Sequence, residues 1–133
     1  MDRPIRSLEL SADLIAEFER EWIEAWNAHD IDRIVSHYRD DVQFISPIAA
    51  RFGTPRGEVR GRPALRAYFQ HGLASYPALH FEPIAALGGI GSIALHYRAV
   101  EDRQAIEVMQ LDTRGKVQRA AAHYTAKPNH SAP

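Results

Sequence analysis

The sequence lacks several features that would point to particular classes of protein. It has no cysteine, which excludes disulfide bonds, thiol catalysis and cysteine-ligated metal sites. It has no excess of one charge, since 16 Lys and Arg against 17 Asp and Glu give a net charge of -1, so no basic stripe for nucleic acid is indicated. No apolar run approaches the roughly 20 residues that span a bilayer, and no signal-peptide apolar segment follows Met1. We therefore expect a cytoplasmic protein without nucleic-acid or membrane partners.

The length and composition are those of one globular domain. The chain has 133 residues, of which 45% are hydrophobic and 25% charged, an ordinary globular balance. A chain of this size buries roughly two-thirds of its unfolded surface in a single core. We divide it into an N-terminal extension over residues 1–10, a single domain over 11–126, and a polar tail over 127–133 that we expect to be disordered.

Helices are predicted in the first half of the chain. A first helix follows the N-cap candidate Ser11, and a short second helix follows Asp30 and includes Tyr38 on its buried face. A third begins at Arg62-Pro63, where proline suits the first turn. The first helix carries an apolar stripe with helical spacing, formed by Leu14, Ile15, Phe18, Trp22, Ala25 and Trp26.

A strand is predicted between the second and third helices, where the apolar period changes to two. Val42, Phe44 and Ser46 share one face of this strand, and Pro47 ends it. Residues 48–61 are rich in glycine and arginine, which predicts a long loop. Because long loops in compact domains are often functional, we expect this one to move as a lid, with Phe52 as its apolar docking group.

Four antiparallel strands are predicted after the third helix. Gly88-Gly89 is interpreted as the first turn of this run, and Asp112 to Gly115 as the turn of a bulged hairpin. The predicted strands are Leu79 to Leu87, Ile90 to Val100, Gln104 to Leu111 and Lys116 to Ala126.

The resulting order, α-α-β-α followed by four strands, predicts an α+β fold. Three helices would pack on the concave face of a curved, mainly antiparallel sheet and leave a cone-shaped cavity. The outer face of the sheet carries apolar or weakly polar residues that need a second cover. These residues are Ala94, His96, Ile106 and Val108.

Five segments of the sequence resemble the nuclear transport factor 2-like superfamily, in its SnoaL-like and ketosteroid-isomerase-like branch. They are Trp22 to Asp30, His37 to Val42, Phe44 to Pro47, Arg60 to Phe69, and Gly115 to Val117. The resemblance covers about residues 10–126 and implies the cone fold and a homodimer joined through the outer sheet face. It leaves the activity open, because this fold carries isomerases, dehydratases, cyclases, epoxide hydrolases and non-catalytic binders.

The resemblance also argues against faithful ketosteroid isomerisation. The catalytic base of those enzymes falls on Ser46 here, and their tyrosine donor falls on Trp22. Their second donor, a protonated carboxyl, falls on Glu107, which is the one matching position that keeps a carboxyl group. Glu107 is therefore the first candidate for acid/base chemistry.

His123 is the predicted catalytic partner of Glu107. If Asp112 pairs with Lys116, the face of Glu107 continues through Arg119, Ala121 and His123. A shift in strand parity would instead turn Ala120, Ala122 and Tyr124 inward. We expect a cavity carboxyl to have a raised pKa and to be coupled to the imidazole if His123 lies beside it.

The sequence thus predicts a pocket for an apolar small molecule and, within it, cofactor-independent proton transfer of the isomerase, dehydratase or cyclase type. The alternative is a non-catalytic ligand-binding or dimeric interaction domain. No metal-ligand motif, phosphate loop or dinucleotide fingerprint occurs, so we expect neither metal nor cofactor. Besides Glu107 and His123, the candidate pocket residues are Trp22, Trp26, Tyr38, Phe44, Ser46, Phe69, Tyr97, Met109 and Tyr124.

Overall fold

The computed structural model describes residues 9–126 and contains four α-helices and six strands within that range. The disordered tail expected at 127–133 lies outside the described residues. The helices are α1 (Ala12–Asn27), α2 (Ile31–Val35), α3 (Pro47–Arg51) and α4 (Arg62–Ser75). The strands are β1 (Tyr38–Ile45), β2 (Glu58–Arg60), β3 (Glu82–Gly89), β4 (Ser92–Arg98), β5 (Gln104–Leu111) and β6 (Val117–Tyr124).

All six strands form one curved, unclosed sheet in the order β2-β1-β6-β5-β4-β3. The β1–β6 pair is parallel and the other pairs are antiparallel. Helix α1 lies against β3 and α4 lies against β1. The α+β cone predicted from the sequence is therefore confirmed.

The helix boundaries follow from capping groups that the sequence displays. The Ser11 hydroxyl accepts a hydrogen bond from the Leu14 amide at 3.1 Å, and the Asp30 carboxylate accepts one from the Arg33 amide at 3.2 Å. Each of these bonds satisfies an amide that the helix itself leaves without a partner. The buried part of α1 consists of Trp22, Ile23, Ala25 and Trp26.

Two parts of the predicted secondary structure are wrong between residues 36 and 61. Tyr38 begins strand β1 and does not end a helix. Residues 48–61 are not one long loop, since they contain most of α3, a 3-10 turn at Pro55–Gly57, and β2, which pairs with β1. The lid movement remains a prediction, and strand pairing opposes it in the β2 part of the segment.

Gly57 is the position on which this segment depends. Its φ is +66°, and a Cβ atom there would overlap the carbonyl oxygen of Ser46. The Gly57 carbonyl accepts a hydrogen bond from the Ser46 amide at 2.9 Å. Only glycine allows this approach at this φ, so the segment is held against the end of β1.

The turn between β3 and β4 lies further along the chain than predicted. Gly88 and Gly89 are the last residues of β3 and pair with Ile93 and Ser92. The reversal takes place at Ile90 and Gly91, where Gly91 has a φ of +61°. Ile90 also forms an isolated bridge with Glu9, so part of the predicted N-terminal extension contacts the domain.

The outer face of the sheet exposes apolar side chains on β5. Ile106 is 41% exposed and Val108 is 37% exposed, whereas the alternate residues of β5 are buried. Ala94 and His96 on β4 are half-buried. No helix in the described part of the chain is both long and apolar enough to cross a membrane.

Candidate active site

A cavity lies between the helices and the inner face of the sheet. Its volume, taken over the positions that the centre of a water molecule can occupy, is about 80 Å³. Six residues that the sequence placed in the pocket do line it, together with Glu107: Trp22, Trp26, Phe44, Phe69, Tyr97 and Tyr124.

The cavity wall is mainly aromatic, and its rings support one another. Trp22 meets Tyr97 edge to face with 5.2 Å between ring centroids, and Trp26 meets Phe69 in the same way at 4.8 Å. The ring centroids of Phe81 and Tyr97 are 4.7 Å apart. Contacts of this kind fix ring orientations beyond what apolar burial alone does, so the wall is a defined apolar surface.

Among residues 9–126, Glu107 is the one acidic side chain that lines this wall. It shares the buried face of β5 with Ala105, Met109 and Leu111 and is only 3% exposed. Burial, which disfavours the charged carboxylate, raises its pKa from 4.5 to about 7. The hydroxyl of Tyr97 donates a hydrogen bond to Oε1 of Glu107 at 3.3 Å and opposes this rise. Near neutral pH the carboxyl can therefore both release and accept a proton.

Two phenols complete what we call the Glu107 cluster, defined as Glu107, Tyr97 and Tyr124. Burial and then the charge of Glu107 raise the pKa values of Tyr97 and Tyr124 well above the usual range. Both phenols consequently keep their protons at neutral pH and act as hydrogen-bond donors.

The predicted pair of Glu107 and His123 does not form. Asp112 does pair with Lys116, as expected, but Leu111 then pairs with Val117 while Gln110 pairs with Arg119. Gln118 is thus an extra residue in β6, and a one-residue shift turns every later side chain to the other face. Ala122 lies opposite Glu107, and His123 is exposed on the outer face.

Three other predicted pocket residues are buried in the core but do not line the cavity. Tyr38 accepts a hydrogen bond from Nε1 of Trp22 at 3.1 Å, so its hydroxyl is engaged within the core. The Ser46 hydroxyl caps α3 by accepting from the Ile48 amide and also accepts from the Tyr68 hydroxyl at 3.4 Å. Met109 lies between Ile93 and Ala120 on the neighbouring strands.

Several lining residues were not predicted as pocket residues. Phe52 reaches the cavity from the C-terminal end of α3, Tyr68 from α4, and Phe81 from the segment before β3. Tyr68 shares the apolar face of α4 with Phe69, which is the signal that could have identified it. Within residues 9–126, no three His, Asp or Glu side chains are grouped so that they could hold a metal ion.

Comparison with known proteins is consistent with the cone fold. The sequence profile of the SnoaL-like domain family matches residues 20–128. A SnoaL-like protein of unknown function from Burkholderia thailandensis E264 is 42% identical, with a TM-score of 0.85, and the match covers 93% of this chain and 100% of that one. The chain therefore belongs to the SnoaL-like family.

More distant structures share the fold alone. A protein from Agrobacterium tumefaciens C58, provisionally named an isomerase of the SnoaL-like family, is 14% identical with a TM-score of 0.69, over 86% of this chain and 99% of that one. One from Kribbella flavida, provisionally named a ketosteroid isomerase, is 15% identical with a TM-score of 0.64, over 91% and 84%. No curated protein matches the chain.

Proposed function

We propose that this protein is a cofactor-independent enzyme that moves a proton on a small, apolar substrate, with Glu107 as the general base and acid. The observation that carries the proposal is a carboxyl group buried in an aromatic cavity, with a pKa raised to about 7. An isolated carboxyl in an apolar core destabilises a fold, and a pKa near the working pH is what acid/base catalysis needs.

The chemistry that fits the Glu107 cluster is proton abstraction next to a carbonyl group. The carboxylate of Glu107 takes a proton from the carbon, the electron pair of the broken C–H bond forms a C=C bond, and the carbonyl electrons move onto oxygen. When the Glu107 carboxyl first exchanges its proton with solvent, return of the solvent-derived proton to the same carbon gives exchange, and return of a proton to another carbon gives isomerisation. Tyr97 and Tyr124 keep their protons, so they can hold the carboxyl in place or stabilise the developing negative oxygen.

The provisional isomerase names of distant structures agree with this proposal. The alternative is a binding domain that uses the same cavity without chemistry, and the aromatic wall is equally suited to it. The two differ in what happens to a bound ketone.

Deuterium exchange separates them. Small aryl and cyclic ketones are incubated with the protein in D₂O, and the loss of the proton signals next to the carbonyl is followed by NMR. We expect exchange above the buffer rate that rises with pH around 7, and a loss of at least about 100-fold in Glu107→Gln. His123→Ala, on the outer face, is the matched control and should exchange like the unaltered protein. Ketones that bind without exchanging would leave the binding domain as the function.

A further inference from the structure

The two tryptophans of α1 provide an internal comparison at the cavity wall. Trp22 and Trp26 lie one helical turn apart on the same face, and both line the cavity. Nε1 of Trp22 donates its hydrogen bond to the hydroxyl of Tyr38. Nε1 of Trp26 is buried and has no hydrogen-bond partner anywhere in residues 9–126.

A buried N–H group without a partner is rare and costly in a folded protein. Trp26 is 7% exposed, so bulk water does not compensate for the missing bond. Its ring contacts are with Phe69, Phe81 and Trp22, which offer only ring faces or a donor. A contact with a ring face satisfies an N–H group much less well than an oxygen acceptor does.

We propose that the Trp26 indole N–H is a ligand-binding donor that recognises a carbonyl or hydroxyl oxygen on the molecule in the cavity. This inference rests on the proposed function and specifies its substrate class, a single-ring apolar molecule with one oxygen acceptor. The apolar part packs on the aromatic wall, and the acceptor is held from α1. Glu107 approaches the same molecule from β5.

Binding of two probes of the same shape tests the proposal. Acetophenone has a carbonyl oxygen where α-methylstyrene has a methylene group, so the pair differs in the acceptor alone. The two indole N–H signals of the ¹⁵N-labelled protein, assigned by standard through-bond experiments, are followed while each probe is added. We expect acetophenone to bind at least about fivefold more tightly and to move the Trp26 proton downfield. The Trp22 signal should move less, because its hydrogen bond is already made.

Substitutions at the two positions give the matched comparison. Trp26→Phe removes the free donor and should reduce the affinity ratio of the two probes to about one. Trp22→Phe removes a donor that is already engaged, so the ratio should persist even if both affinities change. The wild-type shifts alone decide the question if either variant fails to fold.

Two results would overturn the inference, and they differ in what they say about the proposed function. If both probes bind equally and the Trp26 signal does not move downfield, the donor role is wrong and the cavity still binds ligands. If neither probe binds, the small-molecule cavity of the proposed function is wrong and the donor role is overturned with it.

Discussion

Replacement of Glu107 by glutamine should make the protein more stable at alkaline pH relative to the unaltered chain. The carboxyl has its usual pKa of 4.5 in the unfolded chain and about 7 when buried. Below pH 4.5 the carboxyl is protonated in both the folded and the unfolded chain, so its ionisation does not reduce the free energy of unfolding. Between pH 4.5 and 7 the unfolded chain loses the proton while the folded chain keeps it, so the free energy of unfolding falls as the pH rises. Above pH 7 both states have lost the proton, and the reduction in the free energy of unfolding stays constant.

The size of the effect follows from the same two values. At about 1.4 kcal/mol for each tenfold change in proton affinity, the full cost comes to roughly 3 kcal/mol. Glu107 is only 3% exposed, so little of this is screened by solvent. Since a domain of this kind is stable by about 5–15 kcal/mol, the loss is large enough to measure. Glutamine has nearly the same shape, can accept the Tyr97 hydrogen bond, and does not ionise.

Urea unfolding of the two proteins at several values between pH 4.5 and 9 provides the assay. The difference in the free energy of unfolding should shift by about 3 kcal/mol in favour of Glu107→Gln across that range, with most of the change below pH 7. Glu82→Gln, on an exposed side chain of β3, controls for removing a carboxylate at the surface. A Glu107→Gln difference that varies no more with pH than that of Glu82→Gln would refute the reasoning.

Four further outcomes are expected. Tyr97→Phe removes the donor to Glu107, so a carbon-detected NMR titration should find the pKa of Glu107 above about 7; an unchanged midpoint would contradict the hydrogen bond. Gly57→Ala should reduce the free energy of unfolding by about 1–3 kcal/mol, whereas Gly72→Ala in α4, which has open space beside it, should not. Sedimentation at micromolar concentration should give a dimer that Ile106→Glu dissociates, and a monomeric unaltered protein would exclude the outer-face dimer. Hydrogen exchange should be faster at 47–57 than in β6 if that segment moves as a lid, with β2 slow because it pairs with β1.

The parts of the fold that local chemistry determines were predictable from the sequence. Helix α1 begins directly after its cap Ser11 and ends before Asp30, the cap of α2. The apolar stripe between these two caps marks the length of the helix. The inward positions of Phe44 and Glu107 follow from simple alternation along β1 and β5. Each of these features depends on residues a few positions apart.

The orientation of β6 was not predictable, because it depends on two neighbours at once. Strand β6 pairs with β5 on one side and with β1 in parallel on the other. The β1 pairing is itself irregular, with Tyr38 opposite Val117 and Gln43 opposite Arg119. The extra residue Gln118 lies where the pairing of β6 with β1 and its pairing with β5 both shift. No glycine or other turn residue in the sequence marks this position. That single residue decides whether Tyr124 or His123 faces Glu107.

Helix α3 and strand β2 were missed for a related reason. Five residues make too short a helix to be stable by propensity alone, so α3 depends on the Ser46 cap and on the approach of Gly57. Strand β2 has three residues and exists through its pairing with β1. Such elements are stabilised by tertiary contacts that a local pattern does not contain.

Two unfavourable features of the core lie at the cavity. The buried polar or charged residues of the described chain are Ser46, Arg103 and Glu107. Ser46 caps a helix, and Arg103 donates from Nε to the Thr125 carbonyl at 3.0 Å. Glu107 has a long hydrogen bond from Tyr97, and Trp26 has an N–H with no partner. An apolar residue at 107 would avoid the burial cost, so stability alone does not account for a carboxyl there. Away from the cavity, Nε2 of His37 is also buried without a hydrogen bond, at 3.4 Å from a carboxylate oxygen of Glu21. Glu107 and Trp26 both line the cavity, and two such departures at one cavity are what a ligand site requires.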